Sequence, residues 1–352
     1  LIKNSSLLFS ALIFAFLVFA HFSCKPSSPG VEEEASLASQ QPDSIPGWPR
    51  GVHEVKIASS LDGTGQPALF WAPPTGLGPR PLLVALHTWS GDYLQDTSVP
   101  YLRWCAEKSW VFIHPDFRGP NNNPSAAGSL AATQDILDAV SFARDSAHVD
   151  SSRIYLAGAS GGGHMALLTA GREPEIWAAV SAWVPVTDLA AWYAECLGRE
   201  EGYARYSSDL AASCGGAPGD SGEVDSQYRL RSPLTVLGQA QGLPIEISAG
   251  IEDGHTGSVP VSHTLRAFNL LAETNGMPEK RLTREQIEFF VNSREVPQEL
   301  KGEVENDPAY GERAVLFRRT AGPVRVTIFK GGHEIIYEAA LAWLVAHSKP
   351  KN

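Results

Sequence analysis

Five short apolar runs, at residues 82–86 (LLVAL), 110–113 (WVFI), 154–157 (IYLA), 178–183 (AAVSAW) and 245–248 (IEIS), most constrain what this chain can fold into. Each is bounded by Pro, Gly or charged residues, and most lack alternation, as strands covered on both faces do. Stretches of helical period lie between and after them, at 97–108, 130–147, 164–171, 259–273 and 335–347. Strand alternating with helix predicts an α/β fold with a doubly wound, mostly parallel sheet, whose sites gather at the strands' carboxyl ends. Residues 324–329 do alternate and fit a last strand near an edge. Residues 53–57 and 68–71 flank the turn-prone Asp62-Gly63-Thr64-Gly65 and predict an antiparallel edge hairpin.

Two segments interrupt this rhythm. Residues 188–242 mix Trp192, Tyr193, Tyr203, Tyr206 and Tyr228 with Gly, Ser and charges between two core strands, which predicts a lid. Residues 277–321 are charged and predict a small peripheral insertion, or a helix with a long exposed loop. A catalytic domain over 48–352 holding both insertions is the economical division.

The first 47 residues stand apart. Lys3 precedes an apolar run at 7–20, too short to span a bilayer comfortably and suited to the core of a signal peptide over 1–24. His21-Phe22-Ser23-Cys24 resembles the lipid-attachment box of bacterial lipoproteins, with Cys24 as the lipid-bearing residue and departures at His21 and Phe22. A plain cleaved signal and a short anchor are the alternatives. Residues 25–47 are rich in Pro, Ser, Glu and Gln and predict a disordered tether. Together these predict an exported protein, secreted or lipid-anchored in a bacterial cell envelope, touching membrane only through this end. A net charge of −11 argues against nucleic-acid partners. Of the cysteines, Cys196 and Cys214 share one irregular segment and are the preferred disulfide pair, with three unpaired thiols as the alternative. No CxxC pattern is present, and neither a metal nor a cofactor is implied.

The run 153–164 carries the chemistry. A strand leads into Gly158-Ala-Ser160-Gly-Gly162 and out into a helix, a turn so tight that only small residues fit at Gly158 and Gly162. Ser160 would stand strained at the turn, beside free helix N–H groups. A serine hydroxyl is a poor nucleophile without a base and a group to orient that base. Asp253 follows the strand at 245–248, within Gly250-Ile-Glu252-Asp253-Gly254-His255, and His333 follows the strand at 324–329, within Gly331-Gly332-His333. Glu252 and Asp188 rival Asp253, and His164, His255 and His263 rival His333.

In this order the three sites resemble those of the α/β-hydrolase superfamily, more narrowly the catalytic domains of prolyl-oligopeptidase-like serine hydrolases and related secreted esterases. The resemblance covers about residues 81–347. It implies Ser160 as nucleophile, His333 as base and Asp253 as acid. It also implies an oxyanion hole from the residue after the serine, Gly161, and from the loop His87-Thr88-Trp89. Thr88 replaces the usual glycine there; Trp89 is the favoured donor and Thr88 the second. Thr88, His114, Arg118 and His255 are candidate substrate contacts, although internal hydrogen bonds explain the loop at 114–123 equally well. The expected activity is cleavage of an ester through an acyl-enzyme. A secreted carbohydrate esterase is the first reading, because no propeller filter precedes the core and the aromatic insertion could stack on sugar rings. A peptidase for short peptides is the second, and a catalytically silent binding protein on the same fold the third.

Overall fold

The computed structural model describes residues 45–350 apart from 77, 200, 303 and 305 and the side chain of 201. The expected signal segment, Cys24 and the tether up to residue 44 lie outside these residues.

The chain enters through the hairpin β1 (His53–Ala58) and β2 (Gly65–Trp71). It then alternates through β3 (Arg80–Leu86), α1 (Val99–Lys108), β4 (Val111–Pro115), α2 (Leu130–Ser146), β5 (Val149–Ala159), α3 (Gly161–Arg172) and β6 (Ala179–Trp183). Three helices follow, α4 (Leu189–Cys196), α5 (Glu201–Cys214) and α6 (Gly222–Arg231). After them come β7 (Ile245–Gly250), α7 (Ser262–Thr274), α8 (Arg284–Ser293), β8 (Val315–Ala321), β9 (Val324–Phe329) and α9 (Tyr337–Val345).

Among the described residues these strands form one sheet in the order β1-β2-β4-β3-β5-β6-β7-β9-β8. The pairs β1–β2, β2–β4 and β8–β9 are antiparallel and the others parallel. The order reverses at β3, which has β4 on one side and β5 on the other. Chains leaving β3 and β5 therefore part to opposite faces and open a crevice at their carboxyl ends. The apolar runs behave as their composition dictates: β4, β6 and β7 are buried at every residue, and β3 at every residue after Arg80. Even Glu246, inside β7, is fully buried, and Arg325 opposite it on β9 donates to its carboxylate at 2.6 Å. Burial raises the Glu246 pKa against the pull of that arginine.

Both expected insertions are corrected in part. The supposed peripheral segment 277–321 ends in the core edge strand β8, where Phe317 and Ala321 are fully buried. Adjacent Arg318 and Arg319 hid its pattern; Arg318 lies inside, donating to Thr327 and paired with Asp307. The supposed lid 188–242 is helical rather than irregular. Asp188 and Ser221, residues suggestive of turns, cap α4 and α6 by accepting from Ala191 and Val224. These helices bury an apolar cluster that includes Leu189, Trp192, Leu210 and Tyr228. Cys196 and Cys214 belong to that cluster as free thiols, so the expected disulfide is absent. Burial pushes their pKa values up to about 12 and about 11.

Candidate active site

The turn between β5 and α3 is as tight as its glycines require. Ser160 has φ 57° and ψ −118°, a conformation that residues with a β-carbon rarely adopt. Its N–H donates to Trp183 O at 2.9 Å and its carbonyl accepts from His164 at 2.8 Å, so both flanks of the serine are fixed. A β-carbon on Gly158 would overlap the backbone of Gly162, and one on Gly162 would overlap Leu86 O. Among the described residues nothing hydrogen-bonds the Ser160 hydroxyl, and the residue is 8% exposed at the crevice.

The loop after β3 packs against this turn. A β-carbon on Gly161 would collide with the backbone nitrogen of Trp89, so the backbones bearing these two N–H groups lie side by side. The Thr88 N–H is already used, donating to Gln95 Oε1 at 2.8 Å while Gln95 Nε2 donates to Thr88 Oγ1 at 2.9 Å. Those of Trp89 and Gly161 have no acceptor among the described residues. The geometry thus singles out Trp89 over Thr88 as a free donor beside Gly161.

Asp253 and His333 come from separate strands and meet at 2.8 Å between Oδ2 and Nδ1. Gly254 and Val259 donate their N–H groups to Asp253 Oδ1 at 2.9 and 3.2 Å, leaving the carboxylate 1% exposed and fully oriented. A carboxylate on Nδ1 fixes the proton there and leaves Nε2 as an acceptor. Among the described residues the one hydrogen-bond contact of Nε2 is Ser258 Oγ, 3.4 Å away and long for such a bond. Close approach of the two loops depends on Gly250 and Gly257: a β-carbon on the first would strike the Gly331–Gly332 backbone, and on the second Asp253 Oδ1 and His333 Cβ.

The rival residues are occupied elsewhere. Asp188 caps α4, and Glu252 faces Arg294 at 3.5 Å. His164 Nε2 meets Arg231 O at 2.7 Å, and His263 Nε2 meets Glu195 at 2.8 Å. All four candidate substrate contacts have structural partners. His114 is completely buried against Tyr93 O, and burial pushes its pKa down to about 3. Arg118 forks onto Asp135 and reaches Asp62 at 2.7 Å, which ties the first hairpin to α2. His255 Nε2 is held by Val291 O at 2.6 Å. Thr88, the fourth, is clamped by Gln95.

Several residues beside the site escaped the sequence reading. Three successive carbonyls of the loop bearing Asp253 are each taken by a side chain of the helical insertion or its linker: Thr256 by Tyr203 at 2.9 Å, Gly257 by Arg199 at 3.3 Å and Ser258 by Trp192 at 2.8 Å. Trp89 stacks edge-on against Trp192, with ring centroids 4.8 Å apart. Its indole donates to Asp209 at 3.3 Å. The clue in the sequence was the small-residue stretch Gly257-Ser258, because a loop without large side chains must be held by its backbone.

The model of the prolyl oligopeptidase family matches residues 102–281, about half of the chain and including Ser160 and Asp253. No curated protein matches. Among solved structures, Pyrococcus horikoshii acylaminoacyl peptidase superposes with a TM-score of 0.51 at 17% identity, over 63% of this chain and 35% of that one. A Mycobacterium tuberculosis puromycin-hydrolyzing peptidase gives 0.49 at 18% identity, over 63% and 34%. A thermostable esterase gives 0.49 at 16%, over 85% and 64%. The chain therefore spans about a third of the length of these two peptidases. The first likeness supports the α/β-hydrolase fold that the sheet order displays. By its matched half, this chain belongs to the prolyl oligopeptidase family.

Proposed function

We propose that Ser160 is the nucleophile of a two-step acyl transfer on an ester, with His333 as base and Asp253 as its orienting acid. The observation that carries this reading is the 2.8 Å contact of Asp253 with His333 Nδ1, made by loops that leave the same end of the sheet as the strained Ser160. His333 Nε2 takes the serine proton as Oγ attacks the carbonyl, and Asp253 stabilises the imidazolium. The N–H groups of Trp89 and Gly161 receive the oxyanion, a donor pair worth roughly 3 kcal/mol or more in such sites. His333 gives the serine proton to the departing alcohol, and in the second step it takes a proton from the water that attacks the acyl carbonyl and returns it to Ser160 Oγ as the acid leaves. Ser160→Ala abolishes covalent labelling by a fluorophosphonate probe; labelling that persists on another residue refutes the assignment.

A carbohydrate ester is the preferred substrate class, and the chain works after export, held or released by the segment around Cys24. Support for the glycan reading narrows to Tyr193, Tyr203 and Tyr206, which stay partly exposed, since Trp192 and Tyr228 are buried in the insertion's own core. A peptidase for short peptides is the second reading, favoured by family membership. Acylated oligosaccharides set against aminoacyl and dipeptidyl chromogenic substrates separate the two: turnover of only the latter overturns the esterase. A silent binding protein predicts turnover of neither.

A further inference from the structure

Four arginines surround the candidate site, and they divide into two kinds. Arg294 and Arg313 are neutralised by Glu252 and Glu334, the residues adjoining Asp253 and His333, at 3.5 and 2.7 Å. Arg199 and Arg205, on the helical insertion, have no carboxylate within 4 Å among the described residues, in a chain whose net charge is −11. Arg199 leans over Tyr203 at 4.2 Å from the ring centroid and spends only Nη2, on Gly257 O at 3.3 Å. Arg205 leans over Tyr206 at 5.0 Å and spends only Nη2, on Ser90 Oγ at 3.1 Å and Tyr206 Oη at 3.3 Å. The carboxylate one helical turn beyond Arg205, Asp209, is half-buried and hydrogen-bonded to the Trp89 indole; burial raises its pKa and the Arg205 charge, though beyond ion-pair distance, pulls it down.

Their anchor points place these two cations. Gly257 lies against Asp253 and His333, and Ser90 directly follows Trp89. One guanidinium thus stands beside the base and the other beside the oxyanion donors. Among the described residues each retains Nε and Nη1 without a partner; the second Nη2 hydrogen of Arg199 completes a planar fork able to grip a carboxylate through two parallel hydrogen bonds, whereas Arg205, its Nη2 engaged twice, offers Nε and Nη1 as single charged donors. A tyrosine beneath each guanidinium holds it extended and limits the entropy lost on binding.

We propose that Arg199 and Arg205 form a subsite for a carboxylate on the substrate, so that the ester cleaved belongs to an acidic molecule. This rests on the reading of Ser160 as nucleophile, and the test keeps the two apart. The acetyl esters of 4-hydroxybenzoate and 4-hydroxybenzamide differ only in the charged group on the leaving side; mono-4-nitrophenyl succinate and 4-nitrophenyl butyrate place the same contrast on the acyl side. A preference in kcat/KM of about tenfold to a hundredfold for the acidic member is expected in at least one pair, matching one or two charge-assisted hydrogen bonds. That ratio falls towards unity in R199Q/R205Q and in high salt. Equal rates within both pairs, or a preference that survives the double variant, overturn the subsite. Binding of 4-hydroxybenzoate and succinate against their amides, followed by competition with the fluorophosphonate probe or by calorimetry, tests the subsite without ester turnover. Carboxylate binding that the double variant loses supports it even if no ester is cleaved, and equal or absent binding of both members refutes it.

Discussion

The indole nitrogen of Trp192 donates to the carbonyl oxygen of Ser258 at 2.8 Å, entirely within the protein, and ties α4 to the loop that orients Asp253. Buried carbonyls that lose their donor keep the full cost of desolvation, about 1–3 kcal/mol. Trp192→Phe preserves the ring packing against Trp89 while removing the donor. Its unfolding free energy, read from denaturant curves, should fall by an amount in that range, and turnover of 4-nitrophenyl acetate should fall with it. Unchanged stability and turnover would show that water or a shifted loop replaces the bond.

Asp253→Asn keeps the shape of the side chain but exchanges an acceptor pair for an amide. The imidazole of His333 is then free to place its proton on Nε2, where it cannot accept from Ser160. A loss of kcat of about a thousandfold or more is expected, with thermal stability little changed. The check is steady-state kinetics beside a melting curve; a loss below about tenfold would mean that another carboxylate orients the base.

Gln95 holds Thr88 at both its N–H and its hydroxyl, and so sets the direction in which the next N–H, that of Trp89, points. Gln95→Ala should lower kcat by roughly tenfold with a smaller effect on KM, because the oxyanion exists only beyond the ground state. An effect confined to KM would instead put the loop in substrate binding.

Acid should weaken the fold through two histidines that take no part in the proposed chemistry. Burial pushes the pKa of His114 down to about 3 and that of His164 to about 4. Once unfolded, each binds a proton below about pH 6.5, so the unfolded state holds more protons between there and pH 4. Stability is therefore complete above about pH 6.5 and declines as pH falls, by up to about 1.4 kcal/mol per unit for each histidine. Denaturant unfolding across this window checks the slope, which His164→Gln should reduce. A flat profile from pH 7 to pH 4.5 would contradict the prediction.

The central sheet was legible because strands buried on both faces have almost no freedom in composition: LLVAL at 82–86 admits few other readings. The turn at Ser160 was legible for a related reason, since backbone contact at Gly158 and Gly162 tolerates no side chain. Positions whose role depends on a distant partner were not. Arg318 reads as surface until Asp307 and Thr327 are known to receive it, and that concealed β8. Likewise, His114 and Arg118 sit at a strand's carboxyl end as contacts to substrate would, yet Tyr93, Asp62 and Asp135 claim them. Cys196 and Cys214 share one cluster without bonding, a distinction that spacing does not encode.

Trp89 has two allegiances: its backbone belongs to the sheet's crevice, while its indole is counted among the apolar side chains of the three-helix insertion. The proposed oxyanion donors are consequently only as durable as that smaller cluster, which holds its own hydrophobic interior apart from the main one. Cooperative units of unequal strength open in order of weakness. On heating, the insertion should come loose as a separate foldon, and activity should be lost reversibly at temperatures where the far-ultraviolet signal of the sheet is still intact.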